Sequence, residues 1–385
     1  MSEIKVNSIK GVGASAAAIT VNNTDGTCTA NITNNLSNRN LIINGAMQVA
    51  QYGSSGTAAF CCVDRFQQGN SGVDEAPTGS QEDIAAGTTP YTLGFRKAFR
   101  ITNGNQTSGA GSSDRVVIAY AVEAQDVVNS GWNYLSSSSF ITFSFWVKSS
   151  VAQNFYGRLQ TQDGTKYNYP FETGSLSANT WTKITKTISG NSNLQIDNDN
   201  GSGLYIEIIP FRGTSTTGSV SLNAWGSYDS SVRVPDMTTT WYTTNDATFE
   251  ITGVQLEVGN VATEFDHRSF AQELALCQRY FQRVNGSLTG IGANATSIRA
   301  NYTPIVNLRA SPTITGNNPV SFNDPGVASP TQSSFDCGIQ FTYTPNNIGM
   351  SLGFGNFPSN GQTAQGKAYI QWDSANDYID FAAEL

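Results

Sequence analysis

Apolar and polar residues alternate with a period of two along much of the chain, as they do in β-strands that bury one face. Residues 141–148 show the pattern best, with apolar side chains at odd positions and Thr142, Ser144, Trp146 and Lys148 between them. The same period recurs in residues 155–160, 204–209 and 249–258. Glycine-containing turn signals separate these stretches, so the spacing predicts an all-β fold, an antiparallel, jelly-roll-like β-sandwich.

A glycine interrupts the last of these strands. Apolar residues in the stretch 249–258 fall on odd positions before Gly253 and on even positions after it. Such a change of phase predicts a β-bulge at the glycine.

Helical periodicity replaces the strand pattern within residues 268–286. Ser269 and Gln272 form a capping-box pattern, and Gly286 stands where a helix would end. The apolar residues that share one helical face are Leu274, Cys277, Phe281 and Val284. This face could pack on the sandwich of its own chain, or three copies could meet around an axis.

The pattern divides the chain into an N-terminal segment (1–40), a sandwich (41–267), a linking helix (268–286) and a small C-terminal β domain (287–385). The N-terminal segment contains short alternating stretches around a turn at 22–26, which bury too little surface to be stable alone. We expect it to dock onto another body, and the alternative is a solvated tail. No repeat of about 20–50 residues runs through the chain, which argues against a β-helix or a propeller.

The composition favours a surface of neutral polar groups, because charged residues make up 13% of the chain, about half of the usual quarter. The net charge of −8 disfavours nucleic acid and anionic membranes as partners, since both require a positive surface. Neutral sugars or another protein fit better. The sequence contains no apolar run of about 18 residues and no apolar segment behind the N-terminal lysines, so we expect neither membrane insertion nor a secretion signal.

The cysteines show neither CxxC nor Cys/His spacing. They are Cys28, Cys61, Cys62, Cys277 and Cys337. We expect free, mostly buried thiols, and neither a metal site nor a disulfide framework.

Three stretches resemble phage tail-fibre and related virion-surface proteins. Residues 253–268 (GVQLEVGNVATEFDHR) resemble the last strand and corner of the carbohydrate-binding-module-like sandwich of that family. Residues 40–53 (NLIINGAMQVAQYG), followed by Asp64-Arg65-Phe66, resemble its opening strand. Residues 307–315 (NLRASPTIT) resemble a small all-β domain found after the same helix.

The resemblance implies a non-enzymatic viral structural protein, a tail fibre or tail-associated appendage that mediates adsorption to host cell-surface glycans. It implies a homotrimer, made in the host cytoplasm and located in the phage particle, with residues 1–40 attached to other virion proteins of tail or capsid. The first alternative is a capsid-decorating head fibre or knob built from the same parts. The second is a glycan-degrading tailspike.

Glycan recognition needs aromatic faces that stack on sugar rings, together with polar groups that hydrogen-bond hydroxyls. The strand pattern places Trp146 on the outer face, and Arg158 and Gln160 share that face if the next strand pairs in register. Residues of the same parity on other strands are Tyr205, Glu207, Gln255 and Glu257. The alternative is a face covered by a loop or by a neighbouring subunit.

Aromatic residues in loops form a second candidate platform for sugar. They are Trp225, Tyr228, Trp241 and Tyr242. The alternative is that these side chains only anchor their loops in the core.

An oxygen-rich loop, residues 197–201 (DNDNG), has the character that calcium favours, with Asp197 and Asp199 as candidate ligands. It lacks a downstream glutamate at EF-hand spacing, and such loops are also plain turns. A structural Ca²⁺ and a plain turn both stay open, and no other cofactor is predicted.

Signals for catalysis are poor. The single histidine, His267, lies in the corner that the resemblance makes structural, so we expect no Ser-His-Asp triad. The paired carboxylates of a glycosidase cannot be singled out among 29 acidic residues. We therefore predict a binding protein that is not an enzyme.

Overall fold

The computed structural model describes residues 39–285 without interruption and shorter segments on either side. The shorter segments are residues 8–9, 19–21, 28–30, 287–294, 296–316, 320–323, 337–343, 349–355, 367–372 and 378–385. Strands β1 (Ser8–Ile9), β2 (Ile19–Val21) and β3 (Cys28–Ala30) form a small antiparallel sheet. Apart from these three strands, the residues before 39 lie outside the described residues, and so does the turn predicted at 22–26.

Residues 39–267 form a sandwich of two antiparallel sheets with short helices at its edges, and a further short helix follows it. The strands are β4 (Ser55–Gly56), β5 (Gln67–Ser71), β6 (Thr78–Asp83), β7 (Lys97–Thr102), β8 (Arg115–Glu123), β9 (Phe140–Ser149), β10 (Asn154–Thr161), β11 (Tyr167–Ser175), β12 (Thr182–Ser189), β13 (Ser202–Arg212), β14 (Gly226–Ser227) and β15 (Thr248–Val258). The helices are α1 (Thr89–Thr92), α2 (Ala124–Val128), α3 (Thr240–Thr243) and α4 (Phe270–Gln278), with a 3-10 turn at Thr214–Thr216. The first sheet has the order β12-β9-β15-β7-β6-β4, and the second has the order β14-β11-β10-β13-β8-β5.

Apolar side chains from both sheets meet between them, which confirms the jelly-roll-like β-sandwich predicted from the two-residue period. Phe143 and Phe145 of β9 are fully buried. The ring centroid of Phe143 lies 5.9 Å from that of Phe171, which belongs to the other sheet. Each buried phenylalanine contributes about 1.5–3 kcal/mol, so this interior is the main source of stability.

The bulge predicted at Gly253 is confirmed. The register of β15 against β9 shifts between Thr252 and Gln255. Gly253 has a φ of +60°, a conformation that glycine adopts without strain.

The opening motif is not a strand, contrary to the prediction. Residues 40–47 form an irregular segment that docks onto the bulge, and we call this segment the clasp. Asn40 Nδ2 donates to Val254 O at 3.1 Å, and Leu256 N donates to Asn40 Oδ1 at 3.0 Å. The side chain of Asn40 therefore adds to two backbone hydrogen bonds, which Leu41 N donates to Leu256 O and Val254 N donates to Gly45 O, both at 2.9 Å.

Helix α4 is shorter than predicted. Its capping box is confirmed, with Ser269 Oγ accepting a hydrogen bond from Gln272 N. The predicted extent to residue 286 is wrong, because the helix ends at Gln278 and Phe281–Val284 form strand β16. The ring of Phe281 stacks on Tyr52 at 3.7 Å between centroids, and this packing favours a strand over further helix.

The helix packs on the sandwich of its own chain, which is one of the two arrangements left open by the sequence. Cys277 is fully buried and contacts the cluster that contains Ile43 and Val49. The carboxylate of Glu273 accepts a hydrogen bond from Asn44 N. Among the residues that the structure describes, no helix has the length and apolar character needed to span a bilayer.

The cysteines whose side chains are described are free and buried, as predicted. They are Cys61, Cys62 and Cys277. Cys28 and Cys337 lie in strands, and their side chains lie outside the described part of the chain.

The C-terminal region is also built from antiparallel strands. They are β16 (Phe281–Val284), β17 (Ser287–Asn294), β18 (Ser297–Tyr302), β19 (Thr313–Gly316), β20 (Val320–Asn323), β21 (Cys337–Tyr343), β22 (Gly349–Phe354), β23 (Lys367–Trp372) and β24 (Ile379–Ala382). One sheet has the order β16-β24-β19, and the other has the order β20-β23-β17-β18-β22-β21. Their buried side chains include Ile298, Leu352 and Phe381.

Arg65 joins the sandwich to the C-terminal residues of the chain. Its Cζ lies 3.4 Å from the centroid of the Tyr280 ring and 5.2 Å from that of Tyr120. Its Nη1 donates to Glu384 Oε2, and its Nη2 donates to Ala121 O at 2.8 Å. The side chains of Arg65 and Glu384 are 2% and 8% exposed, so this ion pair is almost fully desolvated.

Gly45→Ala tests the clasp. A Cβ at residue 45 would lie 2.1 Å from Val254 O, so we expect the free energy of unfolding to fall by about 2–3 kcal/mol. Gly226→Ala is the matched control, because a Cβ there meets nothing within 4 Å and should change stability by less than about 0.5 kcal/mol. Urea unfolding measures both, and equal stabilities would contradict the clasp.

Asp64→Asn tests a pH dependence of stability that we expect from the buried carboxyl group next to Arg65. Burial raises the pKa of Asp64 to about 7, although Gln51 donates two hydrogen bonds to its carboxylate. An unfolded aspartate has a pKa of about 3.9, so stability should fall as the pH rises from about 4 to 7 and level off above that.

Asp64→Asn should remove this pH-dependent fall in stability, which is on the order of 4 kcal/mol between about pH 4 and 7. Urea unfolding at pH 5 and pH 8 gives the comparison. We expect the variant to gain stability relative to the natural protein at pH 8 but much less at pH 5. The same difference at both pH values would show that Asp64 does not titrate in this window.

Candidate functional site

Two clefts open on the outer faces of the sandwich, one on each sheet. Trp146 lies on β9 of the first sheet, whereas Arg158 and Gln160 lie on β10 of the second. The predicted shared face is therefore wrong. Residues 150–153 carry the chain from one sheet across to the other, so the two strands never pair.

The cleft on the second sheet has a volume of about 350 Å³, and we call it the arginine cleft. Its floor consists of Arg158, Gln160 and Glu207. Its walls include Arg115, Gln162, Ser202, Tyr205, Tyr228 and Arg233. The outward side chains of β8, β10 and β13 thus meet at one place, because these strands are neighbours in the sheet.

Glu207 organises the floor of the arginine cleft. Its Oε2 accepts hydrogen bonds from Arg158 Nε and, at 2.9 Å, from Arg212 Nη2. Burial would raise the pKa of this carboxyl, but the charges of Arg158 and Arg212 outweigh burial and hold the pKa of Glu207 below its ordinary value. The carboxylate stays ionised and neutralises part of the arginine charge.

Arg158 and Gln160 are less available to a ligand than predicted. They are 2% and 4% exposed. Arg158 Nη1 donates to Gln160 Oε1, and Asn168 Oδ1 lies 3.4 Å from the same nitrogen. The polar atoms of these two residues are mainly engaged with each other, so they shape the floor.

Two tyrosines flank the Arg158 guanidinium. The ring centroids of Tyr205 and Tyr228 lie 5.8 Å and 5.6 Å from Arg158 Cζ. Both side chains are partly exposed. They give the cleft aromatic surface next to hydrogen-bond donors, which is the combination that sugar rings require.

The loop of residues 213–239 forms one wall of the cleft and covers the part of the sheet around Val117 and Ile209. Its Val234 is fully buried in a cluster with Val117 and Ile209. Asn168 Nδ2 donates to Arg233 O at 2.8 Å. These contacts fix the loop, and with it the position of Tyr228 at the mouth of the cleft.

Two polar atoms in the cleft have no partner within the described chain. Arg115 Nε and Ser202 Oγ are both buried from solvent, and neither makes a hydrogen bond. A buried polar group without a partner costs about 1–3 kcal/mol. A ligand that hydrogen-bonds these atoms would recover that free energy.

The cleft on the first sheet is more apolar, and we call it the aromatic cleft. It also has a volume of about 350 Å³. Its aromatic side chains are Phe95, Trp146, Phe265 and His267. Its polar side chains include Ser144, Lys183, Gln255, Thr263 and Glu264. None of these residues has a buried polar atom that lacks a partner.

The corner at the end of the sandwich builds one wall of the aromatic cleft. His267 Nε2 lies 3.0 Å from Leu93 O. Its ring packs between Phe95 and Phe265, with centroid distances of 5.1 Å and 4.8 Å. These contacts assign His267 to the architecture of the corner.

Trp241 cannot stack on a ligand, which corrects the prediction for this residue. Its side chain is fully buried, and Nε1 donates to Thr248 O at 3.1 Å. The neighbouring Tyr242 is also fully buried and stacks on Phe211. Helix α3 places both rings in the interior, so they anchor their loop.

Trp225 lies apart from both clefts. Its Nε1 donates to Ser189 O at 2.8 Å, and its ring lies 5.4 Å from that of Tyr169. The side chain is partly buried against the core. It ties the loop to the end of β12, which favours the anchoring interpretation.

The loop with Asp197 and Asp199 has the geometry of a turn. Asp199 Oδ1 accepts a hydrogen bond from Gly201 N at 2.8 Å, and Asp163 Oδ2 accepts one from Asp197 N at 2.9 Å. Within the described ranges, no group of three or more His, Cys, Asp or Glu side chains could hold a metal ion. The calcium hypothesis gains no support from this arrangement.

Sequence reasoning missed Arg115 and Arg233. Arg115 is the first residue of β8, and its only signal is its charge at the start of a continuous apolar run, residues 116–122. Arg233 has none, since its place at the cleft depends on how a long loop folds back over the sheet.

No family model and no curated protein matches the chain. Similar solved structures include the enzymatically active domain of tailspike protein 4 of bacteriophage CBA120, at 11% identity and a TM-score of 0.31 over 57% of this chain and 22% of that one. A putative sugar binding protein from Bacteroides thetaiotaomicron gives 11% identity and a TM-score of 0.31 over 57% of this chain and 100% of that one. A CBM4 structure gives 10% identity and 0.29 over 56% and 98%. At these TM-scores the likenesses carry no argument, and the fold rests on the strand pairing described above.

Proposed function

We propose that this chain is a non-enzymatic, glycan-binding protein of a phage particle, and that the arginine cleft is its binding site. The observation that carries the proposal is the pair of unpartnered polar atoms, Arg115 Nε and Ser202 Oγ, beside two partly exposed tyrosines. Binding a sugar ring between Tyr205 and Tyr228 would bury aromatic surface and supply the missing hydrogen-bond partners.

The particle role rests on the sequence resemblance to phage tail-fibre and virion-surface proteins. In this proposal the chain is a tail fibre or tail-associated appendage, and residues 1–40 attach it to other virion proteins. A homotrimer would present three clefts to one cell surface. Several weak sites that act together raise the effective affinity by about 10²–10⁴-fold, so shallow clefts would suffice for host adsorption.

The cleft chemistry favours binding over cleavage. Glycosidases use two carboxyl groups, one of which must hold a proton to act as the acid. Glu207 is the one carboxylate side chain that lines the arginine cleft. Its lowered pKa and its two arginine partners make it a poor proton donor.

Tyr228→Ala tests the assignment of the site. We expect retention on an array of bacterial capsular and lipopolysaccharide glycans to weaken about 3–10-fold, because one aromatic face is lost. Trp146→Ala is the matched control, since Trp146 is a partly exposed aromatic residue in the cleft on the opposite sheet. Unchanged circular dichroism would exclude misfolding.

The two variants also distinguish the clefts. If Trp146→Ala abolished retention and Tyr228→Ala did not, the aromatic cleft would be the site and our choice would be wrong. If the natural protein retained no glycan of the array, the proposed function would fail.

We expect no release of reducing ends when the purified protein is incubated with each glycan that it retains. Release that disappears in Glu207→Gln would overturn the non-enzymatic assignment and favour a glycan-degrading spike.

A further inference from the structure

We infer that the arginine cleft selects acidic saccharides, in which the sugar carries a carboxylate or a phosphate group. The inference rests on the proposed function and names the class of glycan. It also departs from the expectation of a neutral sugar, which followed from the net charge of −8. The overall charge describes the whole surface, whereas a ligand in a cleft responds to the charges that line it.

The charges in and beneath the cleft do not balance. Arg115, Arg158 and Arg233 line it together with one carboxylate side chain, that of Glu207. Arg212 lies beside them and shares the same carboxylate. Burial lowers the pKa of Arg212, and the positive charges of Arg158, Arg233 and Arg115 lower it further. Four guanidinium groups are therefore close enough to repel one another around a single acidic side chain.

Two of these arginines are available to an incoming anion. Glu207 forms ion pairs with Arg158 and Arg212, whereas Arg115 and Arg233 form none with any residue that the structure describes. Both are partly exposed. The cleft thus keeps two uncompensated positive charges at its walls.

Such a cluster is unusual for this chain. Elsewhere in residues 39–285, buried or partly buried arginines face an acidic partner, whereas Arg309 of the C-terminal region donates to backbone carbonyl oxygens. These pairs are Arg39–Glu257, Arg65–Glu384, Arg100–Glu250, Arg268–Glu273, Arg279–Glu123 and Arg283–Asp380. Arg115 and Arg233 break a pattern that the rest of the sandwich follows.

Arg233 is held in place by its neighbours, and Arg115 carries an unpartnered donor. Arg233 Cζ lies 5.7 Å from the Tyr228 ring centroid, and Arg233 Nε donates to Ser230 O at 3.2 Å. Arg115 Nε is buried without a partner. A guanidinium presents a planar fork of donors that matches the oxygens of a carboxylate or a phosphate.

A neutral sugar would satisfy this site poorly. Filling the cleft would remove water from Arg115 and Arg233, and uncharged hydroxyl groups compensate weakly for the desolvation of a cation. An anionic sugar would pair with those charges while its ring contacts the tyrosines. Nucleic acid is disfavoured, because its continuous phosphate backbone would be repelled by a chain whose net charge is −8.

The test uses immobilised bacterial capsular polysaccharides in three forms: native, carboxyl-reduced and dephosphorylated. We expect the natural protein to retain acidic members at least tenfold more strongly than the form from which the anionic group was removed. Whichever treatment abolishes retention identifies the group as carboxylate or phosphate. Retention should also weaken as salt is raised.

Arg115→Gln and Arg233→Gln should each reduce retention of the native acidic form at least fivefold and narrow its advantage over the neutralised form, because each variant removes one positive charge from the cleft. Lys183→Gln is the matched control, because it removes one positive charge from the aromatic cleft on the opposite sheet. Melting temperatures within about 2 °C of the natural protein would show that the variants fold.

Equal retention of native and neutralised forms would overturn the inference and leave the proposed function intact. Retention of no glycan in any form would overturn both. If single-stranded DNA displaced the acidic glycan at equal concentration, the cleft would be an unselective anion site, and the assignment to saccharides would be wrong.

Discussion

The outer face of the second sheet depends on one buried carboxylate. Glu207 sits between Arg158 and Arg212 at 2% exposure, and without it the cleft floor would hold two desolvated cations with no anion. Losing one member of such a buried group costs about 3–5 kcal/mol. The same carboxylate satisfies the deep arginines only, so the charge of the shallower Arg115 and Arg233 stays uncompensated. The positive charge of the cleft follows, because Glu207 pairs with Arg158 and Arg212 and with neither of the other two arginines.

Much of the fold could be predicted because its determinants are local. Alternating apolar stripes report which face of a strand is buried, the change of phase at Gly253 reports a bulge, and Ser269 with Gln272 reports a helix start. Pairing between strands is not local. The four residues after Ser149 decide that β10 crosses to the other sheet, and nothing in their sequence indicates it, so Trp146 and Arg158 were expected on one face.

The site was predicted in part for the same reason. Parity along β10 and β13 placed Arg158, Tyr205 and Glu207 on one outer face, which the structure brings together in the cleft. The alternation along a strand shows which face a side chain lies on, but it does not show how deeply that side chain is buried. The burial of Arg158 therefore does not follow from the sequence. In loops there is no parity at all: Trp241 proved to be interior and Tyr228 lines the cleft, although both looked alike as loop aromatics.

The joint at Arg65 bears on how the chain can be divided. Its counter-charge, Glu384, and the ring of Tyr280 that covers it both come from beyond the sandwich. A recombinant fragment that ends after the corner, near residue 267, would lack Glu384 and Tyr280. Arg65 would then be a buried cation without its anionic partner. The sandwich and the C-terminal residues therefore depend on each other for stability, and a truncated form of the protein has to keep both Arg65 and Glu384.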